Sequence, residues 1–372
     1  MTAEGHGGFL DLGAHDVAVP GKPFGIVFST DGRFVFVSYQ SEEEQAGGVA
    51  VFRWHETEFT FMHTLTLDVL VWGLTITRAG DLLLVANDTG VVFVDALRAR
   101  VDVDAILGQV RYGSNLQAVK VQLSKDERFV LATDEHHGTV TIVDIERAKA
   151  TDFGVEAVIQ RVVLDLAPVG MDLSKNGRFL YVTCQMARVK GLPDLANWFI
   201  YAATFLGNLY RAGTLTVVDL EKINVGRARV IATIPAGCHP VRVSLSNDDV
   251  AWVTARASNS LLAFSTDSVR RGNGNALLAT IPTGPMPVDL AFVQNDSVLV
   301  VANSNRTLGK GERQTLSFID VQKALRGESA KMGAVRVGAF PRALTVSPDG
   351  SHLLVSNFDS CSVTVLHLDQ LN

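Results

Sequence analysis

The chain repeats one short pattern at intervals of about fifty residues, and a repeat of that length restricts the fold to a few architectures. The pattern is clearest where two β-rich runs flank a tight turn, in residues 28–38, 173–183 and 346–356. Weaker copies bring the anchors to seven: Ser29, Thr77, Ser124, Ser174, Ser246, Val293 and Ser347. Their spacings are 48, 47, 50, 72, 47 and 54 residues, so the repeat fills the chain.

Each repeat holds enough β-rich runs for a four-stranded sheet. After the first two runs comes a third that ends in aspartate, at 91–95, 140–144, 215–219 and 316–320. A fourth run follows, for example at 230–234 and 277–281. Four-stranded sheets repeated radially form a β-propeller. The sequence therefore predicts an all-β protein, a seven-bladed β-propeller of four-stranded antiparallel blades.

The two ends of the chain are out of phase with the repeat. The last copy stops after its third run, at 363–367, whereas the first copy is preceded by an extra run from Phe9 to Val19. We expect this extra run, residues 9–19, to complete blade seven, because pairing the termini removes an exposed sheet edge. Residues 1–372 are then expected to form a single propeller domain.

Several copies end their second strand in a similar tetrad, namely Leu84-Val85-Ala86-Asn87, Tyr181-Val182-Thr183-Cys184, Val300-Val301-Ala302-Asn303 and Leu354-Val355-Ser356-Asn357. With these tetrads the chain resembles the YVTN-repeat, lactonase-like seven-bladed propellers over almost its whole length. The resemblance implies the fold. For activity it implies several possibilities: lactone hydrolases, lactone-forming cyclases, binding modules and cofactor-free cyclases of natural-product pathways. One fold hosts many chemistries, so the function has to be argued from particular residues.

Composition excludes some partners and compartments. The formal net charge is −6, from 33 Lys+Arg against 39 Asp+Glu, which argues against a nucleic-acid binder. The three cysteines form no CxxC pair and cannot all be paired, which favours a reducing compartment. The first residues lack a signal-peptide pattern, so we expect a cytoplasmic protein. The longest charge-free apolar stretch, 195–210, has 16 residues, short of the roughly 20 that a membrane span requires.

Known catalytic motifs are missing from the sequence. It has no GxSxG, HExxH, Walker or GxGxxG motif, so we expect neither a nucleotide nor any other cofactor. His136 and His137, beside Asp134 and Glu135, offer metal-ligating atoms, but adjacent histidines in a loop point apart, and we expect no metal site. Cys184 and Cys238 could act as a nucleophile only with a base such as His239.

The longest departure from the repeat is an insertion in blade four, residues 185–214, where other blades need about five residues. Apolar residues recur there at helical spacing: Leu195, Trp198, Phe199, Ala202, Phe205, Leu206 and Leu209. The helix either packs on the rim of the propeller, or lies on a membrane surface, or forms a lid whose Trp198, Phe199 and Phe205 cover a ligand. A second long loop, residues 304–315, carries Arg306 within reach of a ligand.

The last position of the tetrad differs among the blades: Tyr39, Asn87, Asp134, Cys184, Ala255, Asn303 and Asn357. Asn and Asp there can cap a turn. Tyr39, Cys184 and Ala255 depart from this pattern, either because the neighbouring loops change the turn or because Tyr39 and Cys184 face a ligand.

The start of each innermost strand supplies the other predicted site residues. One position reads Gly25, Gly73, Lys120, Gly170, Arg242, Asp289 and Ala343. The preceding position reads Phe24, Trp72, Val119, Val169, Val241, Val288 and Arg342. In one interpretation Asp289 neutralises Lys120 or Arg242 in a structural ion network. In the other, Lys120, Arg242 and Arg342 hold an oxygen of the substrate, with His239 as neutral donor or proton shuttle, and Phe24 and Trp72 border its apolar body.

These features favour an enzyme that binds a largely apolar small molecule with an oxygen function. The first hypothesis, which the resemblance to natural-product pathway propellers implies as one possibility, is a cofactor-free cyclisation or cycloaddition of a polyketide- or terpenoid-like substrate in secondary metabolism. The second is lactone hydrolysis or formation, with His239 or Asp289 as the acid or base. The third is a non-enzymatic propeller that binds a protein partner. We expect a monomer or a weak homo-oligomer.

Overall fold

The computed structural model describes residues 8–41, 46–55, 58–189, 191–193, 196, 199–200, 203, 212–273, 275–305 and 312–371. These residues form seven sheets, each of four antiparallel strands. The first strands of neighbouring blades contact one another around a central channel, which makes them the innermost strands. The predicted seven-bladed propeller is therefore confirmed.

The first four blades begin near the N-terminus. Blade one contains β2 to β5: Lys22–Phe28, Phe34–Gln40, Gly47–His55 and Glu58–Leu67. Blade two contains β6 to β9: Val71–Ile76, Leu82–Asn87, Gly90–Asp95 and Ile106–Arg111. Blade three contains β10 to β13: Val121–Leu123, Phe129–Asp134, Thr139–Asp144 and Val158–Val163. Blade four contains β14 to β17: Leu166–Leu173, Phe179–Met186, Ala212–Asp219 and Arg229–Cys238.

The other three blades complete the ring. Blade five contains β18 to β21: Pro240–Leu245, Val250–Ala255, Ser260–Ser265 and Leu277–Pro282. Blade six contains β22 to β25: Pro287–Val293, Val298–Asn303, Gln314–Asp320 and Lys331–Val337. Blade seven contains β26 to β28, Pro341–Val346, His352–Asn357 and Ser362–His367, together with β1, His15–Ala18.

Helices in the described part of the chain are short. The α-helices are α1, Ile145–Ala150, α2, Thr266–Arg270, and α3, Val321–Leu325. Single 3-10 turns cover Arg98–Arg100, Val155–Ala157, Ile223–Val225, Arg256–Ser258, Phe358–Ser360 and Leu368–Gln370. Within the predicted insertion, the strands on either side extend to Met186 and from Ala212, and residues 196, 199, 200 and 203 are helical. No described helix has the length and apolar character needed to cross a membrane.

The repeated anchor builds the turn between the first and second strands. In blade one, the Ser29 hydroxyl donates to Asp31 Oδ1 at 2.6 Å and accepts the Phe34 N–H at 2.9 Å. Gly32 between them has a φ of 68°, which favours glycine. Ser124, Ser174 and Ser347 make the same pair of bonds in their own blades. A local hydrogen-bond pattern therefore repeats with the fold.

The N-terminal segment holds two blades together. Strand β1 pairs with β28 in an antiparallel register that runs from His15↔Val365 to Ala18↔Ser362. Upstream, Phe9 forms an isolated parallel bridge to Ala334, in the outer strand of blade six. Within residues 9–19, His15–Ala18 thus lie on blade seven, whereas Phe9 lies against blade six.

The hydrophobic core lies between neighbouring blades. Between blades one and two, for example, Phe36, Val49 and Val51 pack against Leu83 and Val85, and all five side chains are fully buried. Burying one such side chain contributes roughly 1.5–3 kcal/mol. This packing covers the flat faces of the sheets. The ends of the strands around the channel are therefore the part of the fold that can build a site.

Candidate functional site

A funnel of two adjoining cavities opens where the first strands begin and the second strands end. The wider cavity has a volume of about 400 Å³ and lies against blades one, six and seven. The narrower one has a volume of about 160 Å³ and lies over the channel. Trp72 and Arg342 line both cavities, so the two cavities adjoin at these side chains.

The floor of the funnel is a ring with one residue from each blade. These are the residues that precede the charged position of the innermost strand, and all seven line the cavities: Phe24, Trp72, Val119, Val169, Val241, Val288 and Arg342. Six are apolar and one is cationic. The structure therefore brings three predicted site residues, Phe24, Trp72 and Arg342, into one pocket.

A second ring, which the sequence analysis missed, stands above the floor. It is formed by the residue that follows the tetrad in each blade: Gln40, Asp88, Glu135, Gln185, Arg256, Ser304 and Phe358. Five of these seven line the two cavities. A sixth, Asp88, accepts a hydrogen bond from Trp72 Nε1 at 3.0 Å. The available signal was that six of the seven residues at this position are polar, directly after an apolar strand.

Aromatic rings form the wall of the wider cavity. The rings of Phe24 and Trp72 meet edge to face at 5.2 Å between centroids, and those of Phe340 and Phe358 at 5.8 Å. The Arg342 guanidinium lies 4.7 Å from the centroid of Phe24 and 5.0 Å from that of Phe340. Cation–π contacts of this kind are worth about 0.5–2 kcal/mol each. Arg342 is thus positioned over an apolar wall and still borders both cavities.

Hydrogen-bonded polar groups line one side of the narrower cavity. Gln185 Nε2 donates to Glu135 Oε1 at 2.9 Å, and Arg256 Nη2 donates to Gln185 Oε1 at 2.7 Å. Arg256 Nη2 also donates to His239 Nδ1 at 3.1 Å, which places the proton of a neutral His239 ring on Nε2. His239 itself is fully buried and has a φ of 48°. The network joins blades three, four and five.

Arg242 forms a buried ion pair in the channel. Its Nε lies 3.5 Å from Asp289 Oδ1, and the two side chains are only 9% and 13% exposed. Arg242 Nη1 also donates to the carbonyl of Val169. Asp289 Oδ2 accepts the Leu344 N–H at 2.8 Å. These contacts match the structural ion network that the sequence left open, although Arg242 also lines the narrower cavity.

Lys120 lies in the same part of the channel but makes no ion pair within 4.0 Å in the described part of the chain. Burial, and then the charge of Arg242, lower the pKa of its ammonium group, whereas Asp289 and Asp172 act in the opposite direction. Asp172 accepts hydrogen bonds from the N–H groups of Leu173 and Leu245, at 2.8 Å each. Burial nevertheless raises the pKa of Asp172.

The remaining predicted site residues lie elsewhere or outside the described residues. Tyr39 and Cys184 are buried in the hydrophobic clusters between neighbouring blades, and neither lines the two cavities given above. Burial raises the pKa of the Cys184 thiol, which disfavours the nucleophilic thiolate. Phe199 is 59% exposed. Trp198, Phe205 and Arg306 lie outside the described residues, so their predicted ligand contacts stay predictions.

The described residues contain no group of three or more His, Cys, Asp or Glu side chains that could hold a metal ion. His136 and His137, the adjacent pair, bind different partners. His136 Nδ1 lies 2.5 Å from the Asn115 carbonyl, and His137 Nδ1 lies 3.0 Å from Asp134 Oδ1. The two rings are therefore each engaged locally.

Comparisons with known proteins establish the fold and go no further. No protein-family model and no curated protein sequence matches the chain. Among solved structures, the chain is similar to a hydrazine synthase chain from Kuenenia stuttgartiensis, with a TM-score of 0.69 and 16% sequence identity over 99% of both chains. At this identity the similarity supports the propeller architecture only.

Proposed function

We propose that this propeller is a cofactor-free enzyme of small-molecule metabolism, which holds a largely apolar substrate in the funnel and promotes its cyclisation. The observation that carries the proposal is the position of Arg342, over the Phe24 and Phe340 rings and on the border of both cavities. An apolar body with one anionic or strongly polarised oxygen fits this combination of wall and charge.

The two cavities suggest how the substrate is divided. The wider cavity, about 400 Å³, offers rings to a hydrocarbon body. The narrower one is lined by the Arg256 guanidinium and the Gln185 amide, whose N–H groups suit an oxygen function, and by Arg242, which is paired with Asp289. Holding a flexible chain in a reactive conformation supplies orientation, and fixed donors stabilise oxygen charge that develops in the transition state. A cyclisation needs no other group.

Lactone hydrolysis has weaker support. It requires a base that can reach water, and the two residues proposed for that role are engaged elsewhere. His239 is fully buried, with Nδ1 accepting from Arg256, and Asp289 holds both Arg242 and the Leu344 N–H. An interaction propeller also has less support, because the funnel has a cavity of about 400 Å³ that suits a small ligand better than the surface of a protein.

The binding step is tested by calorimetry with 2-naphthoate and 2-naphthamide, which share the aromatic body and differ in charge. We expect the carboxylate to bind at least tenfold more tightly, and Arg342→Gln to abolish that preference. Arg326→Gln is the matched control, because Arg326 is exposed and pairs with Glu328 away from the funnel. Equal binding of the two probes, or an unchanged preference in Arg342→Gln, would contradict the proposal.

Turnover is tested with a linear trienoate whose internal cycloaddition removes its conjugated-diene absorbance. The protein is expected to accelerate the loss of absorbance, and Arg342→Gln is expected to slow it on the order of a hundredfold, as for the loss of one preorganised donor. If the trienoate binds and its uncatalysed rate is unchanged, the site is a binding site and the enzymatic part of the proposal is wrong.

A further inference from the structure

We infer that Asp359 binds a positively charged amine of the ligand in the wider cavity. The inference rests on the proposed function and specifies it, because it adds an ammonium group to the apolar body and the oxygen function of the substrate. Three observations carry it: the residue lines the cavity, its carboxylate has no partner among the described residues, and an aromatic ring that accepts cations lies next to it.

Asp359 is held at the cavity by the backbone around it. It is the second residue of the 3-10 turn Phe358–Ser360, and it lines the wider cavity. Its N–H donates to the Ala339 carbonyl at 3.2 Å, and the Ala339 N–H donates to the Ser360 hydroxyl at 2.6 Å. These two hydrogen bonds fix the turn against the connection between blades six and seven. The carboxylate is therefore positioned without any bond of its own.

The Asp359 carboxylate makes no hydrogen bond and no ion pair within the part of the chain that the structure describes. The other acidic side chains of the upper ring and the channel that have been described each have a partner, namely Asp88, Glu135, Asp172 and Asp289. Asp359 is half-buried, and an apolar ligand that fills the cavity removes more water from it. This desolvation is costly unless a cation compensates the charge, so we expect the ligand to supply one.

The described side chains that line the wider cavity carry one positive and one negative charge, those of Arg342 and Asp359. The two charged groups are more than 4.0 Å apart, because no ion pair joins them. A ligand that carries both an acid and an amine would therefore meet an opposite charge for each group. The cavity thus favours an amphoteric ligand over a simple carboxylate.

The ring of Phe358 gives the amine a second contact. Phe358 lines the same cavity and directly precedes Asp359 in the turn. The Lys22 ammonium already lies 5.6 Å from the centroid of this ring, which shows that the ring accepts a cation. Lys22 itself neither lines the cavity nor forms an ion pair with Asp359. The carboxylate therefore stays available for an ammonium group of the ligand.

The test compares two ligands that differ by one ammonium group, 3-(2-naphthyl)-L-alanine and 3-(2-naphthyl)propanoate, by calorimetry with the full chain at pH 7. Both carry the apolar body and the carboxylate that the proposed function requires. We expect the amino acid to bind about tenfold more tightly, as for one added hydrogen bond between charged groups. Asp359→Asn should bind the two ligands with similar affinity, because the amide keeps the size of the side chain and loses its charge.

Asp369→Asn is the matched control. Asp369 is also the second residue of a 3-10 turn, Leu368–Gln370, but it is exposed and lines neither cavity. This variant should keep the preference for the amino acid. Melting temperatures check the folding of both variants. Asp359→Asn should melt no lower than the unchanged protein, because the carboxylate that it removes holds no contact among the described residues.

The outcomes separate this inference from the proposed function. Equal binding of the two ligands by the unchanged protein would overturn the inference, and so would a preference that persists in Asp359→Asn. In both cases binding of the propanoate leaves the proposed function standing. Absence of binding by the amino acid, the propanoate and 2-naphthoate would overturn both proposals. A preference that appears only in Lys22→Met would show that Lys22 compensates Asp359 in solution, and the inference would then be wrong.

Discussion

Replacing Arg242 by methionine removes one partner of a buried ion pair while preserving much of the length of the side chain. The variant leaves the Asp289 carboxylate in the channel with its bond to the Leu344 N–H but without its cation. The Val169 carbonyl loses a donor as well. The sequence predicts Arg242 as a catalytic group. These contacts give it a structural role as well, and an unfolding experiment measures that role separately from activity.

The distance and the burial set the magnitude. At 3.5 Å and an effective dielectric constant of about 20, the attraction between the two charges is about 5 kcal/mol before desolvation is counted. Desolvation offsets much of this gain, but removing one partner of a buried pair costs about 3–5 kcal/mol, because the remaining charge stays buried. We therefore expect Arg242→Met to lower the free energy of unfolding by about 3–5 kcal/mol.

Urea unfolding, followed by tryptophan fluorescence, measures this loss as a shift of the midpoint with the slope unchanged. Asp289→Asn should also destabilise, and the double variant should be more stable than the sum of the two single losses predicts, by about 2 kcal/mol. Arg33→Met, at an exposed arginine paired with Asp31, is the control and should change stability by less than about 0.5 kcal/mol. Additive losses, or a loss below about 1 kcal/mol for Arg242→Met, would refute this reasoning.

Three further outcomes are expected. Burial, and then the nearby His367, lower the pKa of His352 below its usual 6.5, so the unfolded chain takes up this proton at a higher pH than the folded protein does. The melting temperature should therefore decrease as the pH is lowered below about 6.5, and it should decrease less steeply in His352→Gln. In the control His55→Gln, at an exposed histidine, the decrease should be as steep as in the unchanged protein. Iodoacetamide at pH 8 should alkylate half-buried Cys238 well before Cys184, whose pKa burial raises; equal rates in the native protein would contradict this. Replacing residues 190–211 by a short Gly/Ser turn should preserve the melting temperature, because β15 and β16 remain. If the insertion is a lid, the replacement should also weaken the binding of 2-naphthoate. Unchanged affinity for 2-naphthoate would show that the insertion is not a lid.

The fold was predictable because its signals are local. In blades one, three, four and seven, the anchor serine donates to a side-chain oxygen two residues on and accepts a backbone N–H five residues on, so the turn recurs wherever this sequence does. Seven copies of the repeat, each with apolar runs on both sides of a turn, then predict seven sheets. The contact of Phe9 with Ala334 has no comparable signal, because a single parallel bridge between distant segments leaves no period in the sequence.

The departures at the end of the tetrad have packing explanations that the sequence alone did not reveal. Tyr39 faces Gly48 across the sheet, and a Cβ at that glycine would lie 3.0 Å from the Tyr39 hydroxyl oxygen. The large side chain is thus matched by a small partner in the next strand. Cys184 pairs with Thr214 at the base of the insertion and packs into the core of blade four. A repeat can therefore change at one position to compensate for its neighbour.

Of the candidate site, the sequence predicted the floor but not the upper ring. Comparing equivalent positions along the innermost strands located the floor, because all seven blades contribute to it in the same register. The upper ring depends on how loops from separate blades converge, as Glu135, Gln185 and Arg256 do. Such contacts follow from the angles between blades, which no local pattern specifies.

Arg242 and Lys120 occupy equivalent positions two blades apart, and their surroundings differ. Arg242 has a carboxylate at 3.5 Å and a backbone carbonyl acceptor, so its charge is already compensated by the fold. Lys120 makes no ion pair within 4.0 Å among the described residues, and burial, and then the charge of Arg242, lower its pKa. The Asp289 carboxylate is thus engaged by Arg242 and by the Leu344 N–H. The urea experiments on Arg242→Met and Asp289→Asn therefore measure a contact that belongs to the fold, whatever the funnel binds.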